Sequence, residues 1–281
     1  MKTVRIIPRL DIKGPNLVKG IHLEGLRVLG RPADFAQYYY EQGADELMFM
    51  DVVASLYERN SLHSFISETV KNVFIPITVG GGLRSIDDIK KVLRAGADKV
   101  CINTAAIKNP QFIKEASSEF GSSTIVVAIE AIQQPDESYL AFIDNGREYT
   151  GVEAIEWAQR VEELGAGELI VTSVDREGTG KGFDTILLNG ISSKVTIPVV
   201  AHGGAGNAQQ VIDVLENGSA DAVCLASILH YEALKHMSND YSNHTEGNLD
   251  FLKSGKSFKT FLPIQLAGLK ETLRRNNFDC R

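Results

Sequence analysis

Two acidic residues stand at the ends of apolar runs and invite acid–base chemistry: Asp11 closes residues 5–11 and Glu130 closes residues 124–130. A carboxylate so placed either faces a cavity or is buried at high cost. Two that face each other suit proton transfer to and from a substrate lying between them. A capping role accounts for either one alone, and less readily for the pair. A second group of residues has the make-up of an anion nest. Gly80-Gly81-Gly82 and Asn103-Thr104 follow two apolar runs, and Gly203-Gly204 and Ala226-Ser227 follow two others. Glycine lets backbone N–H groups approach a ligand closely, and neighbouring hydroxyls add donors. One such loop is as readily a tight turn. Two at matching places predict two phosphate sites on opposite sides of one mouth, hence a long substrate phosphorylated at both ends. Lys19, in a long loop, is within reach of a phosphate, although most loop lysines do nothing.

The elements that position these residues follow from an internal repeat. Gly43-Ala44-Asp45-Glu46-Leu47 returns as Gly165-Ala166-Gly167-Glu168-Leu169, an offset of 165 − 43 = 122. The run 75–82 (IPITVGGG) returns as 197–204 (IPVVAHGG) at the same offset, and 93–101 (LRAGADKVC) returns as 215–224 (LENGSADAVC) with one insertion. Each half reads as four strand-then-helix units, with strands starting near Val4, Glu46, Ile75, Lys99, Ile125, Glu168, Ile197 and Ala222. Near-continuous apolar strands belong to a parallel sheet covered by helices. Helical patterns span 32–42, 62–73, 86–95, 110–119, 152–164, 184–193 and 208–216. The expected fold is α/β, one (β/α)8 TIM barrel across residues 1–281, with half-barrel repeats of about 1–121 and 122–237. An open doubly wound sheet does not predict the repeat and lacks a G-x-G-x-x-G turn after its first strand. Segments 12–31 and 132–151 are long loops over the catalytic face and candidate lids. Residues 238–259 read as a polar excursion before a last helix at about 262–275.

Arg5, Glu46, Lys99 and Glu168 begin strands one, two, four and six. Two cations and two anions there can meet as a ring at the barrel floor, or splay into solvent and contribute almost nothing.

Composition narrows the partners. The chain has 281 residues, 43% of them hydrophobic, and a formal charge of −7. An acidic balance argues against nucleic acid or an anionic membrane as the main partner. No apolar run reaches bilayer length, and the charged N-terminus is unlike a signal peptide. Cys101, Cys224 and Cys280 form no disulfide framework and no C-x-x-C pair, so a cytoplasmic setting is expected. Nothing in the pattern calls for a cofactor or a metal.

With these residues in place, the chain resembles the cyclase subunit of imidazole glycerol phosphate synthase over roughly residues 4–236. The runs that carry the resemblance are LDIK at 10–13, LVKG at 17–20, GADEL at 43–47, TVGGG at 78–82, RAGADKVCINTAA at 94–106, VVAIEA at 126–131 and GGAG at 203–206. The resemblance implies a lyase acting on a bisphosphorylated aminoimidazole carboxamide ribulosyl nucleotide. It also implies a heterodimer with a glutaminase docked on the barrel's N-terminal face, whose ammonia passes through the barrel. Arg5, Glu46, Lys99 and Glu168 match its ammonia gate and Asp98 a docking position. Gly82, Asn103, Thr104, Gly178, Gly204, Ala226 and Ser227 match its phosphate sites, with Lys19 and Glu177 among the substrate-binding positions, and Asp11 matches its first catalytic aspartate. Glu130 stands where the second aspartate is usual, Glu177 replaces another aspartate, Arg9 a cysteine and His202 a serine. These departures leave a second reading open, a paralogue that conducts ammonia to a sugar-modifying amidotransferase with little cyclase activity. A single-chain isomerase built on the same repeat is disfavoured by the charged floor and the LDIK…LVKG opening.

Overall fold

Each strand that closes the sheet does so because one of its faces is apolar and the other has partners across a lumen. The computed structural model describes residues 2–54, 62–237 and 260–280. Eight parallel strands pair in a closed circle: β1 (Lys2–Lys13), β2 (Leu47–Asp51), β3 (Ile77–Gly80), β4 (Lys99–Ile102), β5 (Ile125–Gln133), β6 (Glu168–Ser173), β7 (Val199–His202) and β8 (Ala222–Leu225). Pairing of β1 with β8 (Arg5 opposite Ala222) and of β5 with β6 (Val126 opposite Glu168) leaves the ring without an edge. The fold is a (β/α)8 barrel. Outside it lie α1 (Pro32–Glu41), α2 (Leu62–Thr69), α3 (Ile86–Arg94), α4 (Gln111–Phe120), α5 (Ala154–Glu163), α6 (Thr185–Ser192), α7 (Ala208–Asn217) and α8 (Leu266–Arg275).

Side chains alternate between two cores, as a strand's period of two demands. Outward-facing Ile6, Leu10, Phe49, Val79, Val127, Ile129, Leu169 and Val223 pack against the helices. Inward-facing Ile7, Met48, Cys101, Val126, Ala128, Ile170, Val200, Ala222 and Cys224 fill the lumen.

The repeat is visible in local chemistry. Ser85 caps α3 by accepting from the Asp88 N–H at 3.2 Å, and Asn207, 207 − 85 = 122 residues on, caps α7 by accepting from the Gln210 N–H at 3.0 Å. Asp45, Asp98 and Asp221 each accept from the N–H near the start of the neighbouring strand (Ile6 at 2.7 Å, Ile77 at 2.8 Å, Val199 at 2.9 Å). Asp98 therefore has a structural task at the floor; its residue remains exposed there.

Four sequence expectations change. The long segments after β1 and β5 are β-ribbons, not loops: Asn16–Ile21 pairs with Glu24–Gly30, and Tyr139–Ile143 with Glu148–Glu153. Both β1 and β5 run past their carboxylates to reach these ribbons, so Asp11 and Glu130 lie within strands rather than ending them. The helix expected from 152 starts at Ala154, because residues 152 and 153 still belong to the ribbon. The excursion at 238–259 lies outside the described residues, and the last helix begins at Leu266 rather than near 262. A short strand, Phe278–Cys280, pairs with the start of β1.

Gly204 shows how tightly the mouth is packed. Its φ is +110°, and an added Cβ would lie 2.1 Å from the Gly182 carbonyl oxygen. Gly43 has φ +81° with nothing within 4 Å of such a Cβ. Gly204→Ala should therefore destabilise by about 3 kcal/mol, from strained backbone plus overpacking, and Gly43→Ala by only about 1 kcal/mol. Urea unfolding of the two variants measures the difference.

Candidate active site

The inward face of β1 carries Arg5, Ile7, Arg9 and Asp11 at a spacing of two, so one strand contributes to every level of the lumen. At the floor, Arg5 bonds Glu46 at 2.8 Å and also Glu168, while Lys99 bonds Glu46 at 3.1 Å and Glu168 at 3.0 Å. The four sequence-predicted residues close a ring of alternating sign, in which each charge meets two of opposite sign. The two carboxylates raise the proton affinity of Arg5 despite its burial. The reading in which these side chains splay into solvent does not hold.

Above the ring comes the apolar layer of Ile7, Met48, Cys101, Val126, Ala128 and their neighbours. Burial pushes the Cys101 thiol up to about 12, so this layer is uncharged.

At the mouth, Asp11 and Glu130 are both buried. Asp11 accepts from Arg9 Nε at 2.7 Å, and Glu130 Oε2 accepts from the Gly146 N–H at 2.8 Å. Glu130 is raised from an ordinary 4.5 to about 7, first by desolvation, with Arg9 and the Gly146 N–H acting in the opposite direction. Such a carboxyl exchanges its proton near neutral pH.

A cavity of about 440 Å³ opens here, lined by Arg9, Asp51, Gly82, Asn103, Thr104 and Glu130 among others. It brings the first predicted anion cradle and Glu130 together. Asn103 donates to the Phe142 carbonyl at 3.3 Å, which leaves its buried Oδ1 without a partner among the described residues. A buried acceptor in that condition calls for a donor from a ligand or water. The second cradle has matching backbone geometry. Asn103 has φ −135° and ψ −81°, and Ala226 has −127° and −84°. Gly81 and Gly82 have φ +103° and +70°, and Gly203 and Gly204 have +90° and +110°. Ala226 and Ser227 are buried, and the chain returning at Leu262 donates to the Gly206 carbonyl at 2.7 Å beside them.

Lys19 is placed differently from the sequence expectation. Its ammonium pairs with the Glu177 carboxylate, both fully buried, rather than extending to a cradle. Glu177 also accepts from the Leu23 N–H at 2.9 Å, and Gly178 presses so close to the ribbon that a Cβ would lie 2.6 Å from the Gly20 oxygen. The first ribbon is thereby latched to the β6–α6 connection. Its tip, His22-Leu23, sits at φ +53° and +62°, a conformation unfavourable for leucine. Leu23 is buried there, and its carbonyl accepts from Asn145 of the second ribbon at 2.9 Å.

Sequence reasoning left out of the site Asp51, Thr172, Arg84, Lys108, Asp144 and Asn145, and it noted Arg9 and His202 only as departures. For Arg9 the signal was present: a residue two before Asp11 on one strand shares its face.

Residues 5–235 match the family described as histidine biosynthesis protein. Curated relatives named imidazole glycerol phosphate synthase subunit HisF include one from Legionella pneumophila, 56% identical over 75% of this chain and 99% of its own length. Those from Methanococcus maripaludis and Methanocaldococcus jannaschii are 45% and 48% identical over 88% and 82% of this chain, and 98% and 92% of their own lengths. These relatives carry one name and give no support to the sugar-amidotransferase paralogue.

The raised Glu130 carboxyl predicts a stability signature. Because the folded value (about 7) exceeds the unfolded one, the folded state gives up the proton less readily, and stability is lost as pH rises from about 4.5 to about 7. Wild type should lose up to about 3 kcal/mol relative to Glu130→Gln across that window, which urea unfolding at pH 5 and pH 8 would detect.

Proposed function

We propose, from the premise that this chain belongs to the histidine biosynthesis family and within it to the HisF subunits of imidazole glycerol phosphate synthase, how its own residues run the cyclase reaction. The substrate, a bisphosphorylated aminoimidazole carboxamide ribulosyl nucleotide, spans the mouth. One phosphate sits at Gly82, Asn103 and Thr104, and the other at Gly178, Gly204, Ala226 and Ser227. The observation that carries this reading is the layering of the lumen: an alternating ion ring at the floor, an apolar layer, then Asp11 and Glu130 at the mouth. A glutaminase partner docks on the floor around the ring, with Asp98 at its edge. Ammonia, being neutral, crosses the apolar layer, whereas ammonium pays a desolvation penalty there.

At the mouth, ammonia adding to the ribulosyl ketone must lose protons while the carbonyl oxygen gains two and departs as water. Asp11 serves as one partner in that exchange. Glu130, holding a proton near neutrality, serves as the other. Ring closure and cleavage then release imidazole glycerol phosphate and the aminoimidazole carboxamide ribotide. Lys19 and Glu177, paired in the latched ribbon, separate to meet the substrate when the ribbon moves.

Asp11→Asn should lower ammonium-dependent turnover on the order of 10²-fold or more while leaving fold and phosphate affinity intact. Near-normal turnover would make Asp11 structural. Lys99→Ala and Glu168→Ala should change glutamine-dependent turnover and leave ammonium-dependent turnover near normal. Equal loss in both assays would make the ring a structural device, and failure of a glutaminase to co-purify would remove the docking assignment.

A further inference from the structure

The guanidinium of Arg9 is among the largest fully buried groups of the molecule, and none of the roles above uses it. It lies between the apolar layer and the substrate cavity, whose wall it forms with Glu130 and Asp51. Its Nε donates to Asp11 Oδ1 at 2.7 Å, and one terminal nitrogen lies 3.3 Å from Nδ1 of His202. A guanidinium has donors only, so Nδ1 accepts and the imidazole proton sits on Nε2. His202 is held neutral by its burial and by the positive charges of Arg9 and Lys19. Thr172, on the adjacent strand, contacts the same Nδ1 at 3.0 Å. The backbone of Arg9 is fixed as well, since its carbonyl lies 3.0 Å from Nε2 of the buried His230, whose Nδ1 meets Tyr39 Oη at 2.6 Å.

We propose that Arg9 is a positioning residue for the cyclase reaction: its planar fork ties the Asp11 carboxylate to His202 across the lumen, orients Asp11 toward the cavity and separates the charges of Asp11 and Glu130. The inference rests on the cyclase reading above. Buried Asp11 and Glu130 repel each other, and a cation beside both offsets that repulsion. Lysine cannot replace the fork, because a point charge does not bond two planar partners in fixed geometry. The titratable groups around Arg9 come from all sides. Asp11 lies on its own strand, Cys101 on β4, Glu130 on β5, His202 on β7 and Cys224 on β8, with Lys19 and Asp144 from the two ribbons.

The test is ammonium-dependent turnover of the full chain as a function of pH, for wild type, Arg9→Met and Arg9→Lys. Arg9→Met should lower kcat on the order of 10²-fold with KM nearly unchanged, as expected for a misplaced reacting group. It should also move the Glu130 limb of the pH profile upward, because the nearby cation that favours ionisation is gone. Arg9→Lys should return the limb toward its wild-type position and recover kcat only in part. A kcat for Arg9→Met close to wild type, or a fall in kcat with an unmoved limb, overturns the inference. If Arg9→Met does not fold, Arg9→Lys decides: reduced kcat with an unmoved limb supports the fork, and full kcat overturns it. Wild type inactive with ammonium would overturn the cyclase reading and this inference together. Variants equal to an active wild type would overturn this inference alone.

Discussion

Closure of the sheet commits every second residue of each strand to a lumen from which water is largely excluded, and most of the site's chemistry follows from that. A charge in such a space must find its counter-charge or lose its ionisation. Here the charges are sorted by level. Arg5 and Lys99 meet Glu46 and Glu168 at the floor, Arg9 meets Asp11 below the mouth, and Lys19 meets Glu177 under the first ribbon. Glu130, held by the Gly146 N–H rather than by a direct ion pair, has its proton affinity raised to about 7. Buried ion pairs often do no better for stability than apolar side chains of similar size. The proposed passage of ammonia and the proposed acid–base chemistry need such charges, which apolar packing would not supply.

The two ribbons give the repeat a functional consequence. Each grows from the strand that carries a carboxylate of the site, the first from β1 beyond Asp11 and the second from β5 beyond Glu130. Their tips meet through Asn145 and Leu23. Equivalent strand-plus-ribbon units thus carry Asp11 and Glu130 and the two ribbons beyond them.

The barrel was legible in the sequence because parallel strands buried on both faces leave near-continuous apolar runs, and because matched runs at one offset fixed the count. The floor residues were legible because charge at the start of an apolar strand is conspicuous. The ribbons were less so. Asp144-Asn145-Gly146 has the composition of a hairpin turn, with φ of +53°, +62° and +75°, and could have been read as one. His22-Leu23 could not, since nothing local favours leucine in that conformation; contacts with Glu177 and Asn145, far away in sequence, hold it there. For the same reason Lys19 was expected near a phosphate. Its actual partner, 158 residues away, depends on where the ribbon lands. Arg9 was the one large omission that period-two alternation alone would have corrected.

The same contacts join cover and chemistry. Gly146 lies in the turn of the second ribbon, and its N–H bonds Glu130, an interaction that favours the ionised carboxylate. Glu177 bonds the Leu23 N–H at the tip of the first ribbon while also holding Lys19. Each ribbon tip therefore touches a carboxylate of the mouth, and neither ribbon can lift without changing the electrostatics beneath it. If the second lifted, Glu130 would lose a donor and gain water together, and the two act in opposite directions on its proton. If the first lifted, Glu177, which holds Lys19, would lose the Leu23 N–H. The coupling needs no long-range pathway, because cover and carboxylates share hydrogen bonds.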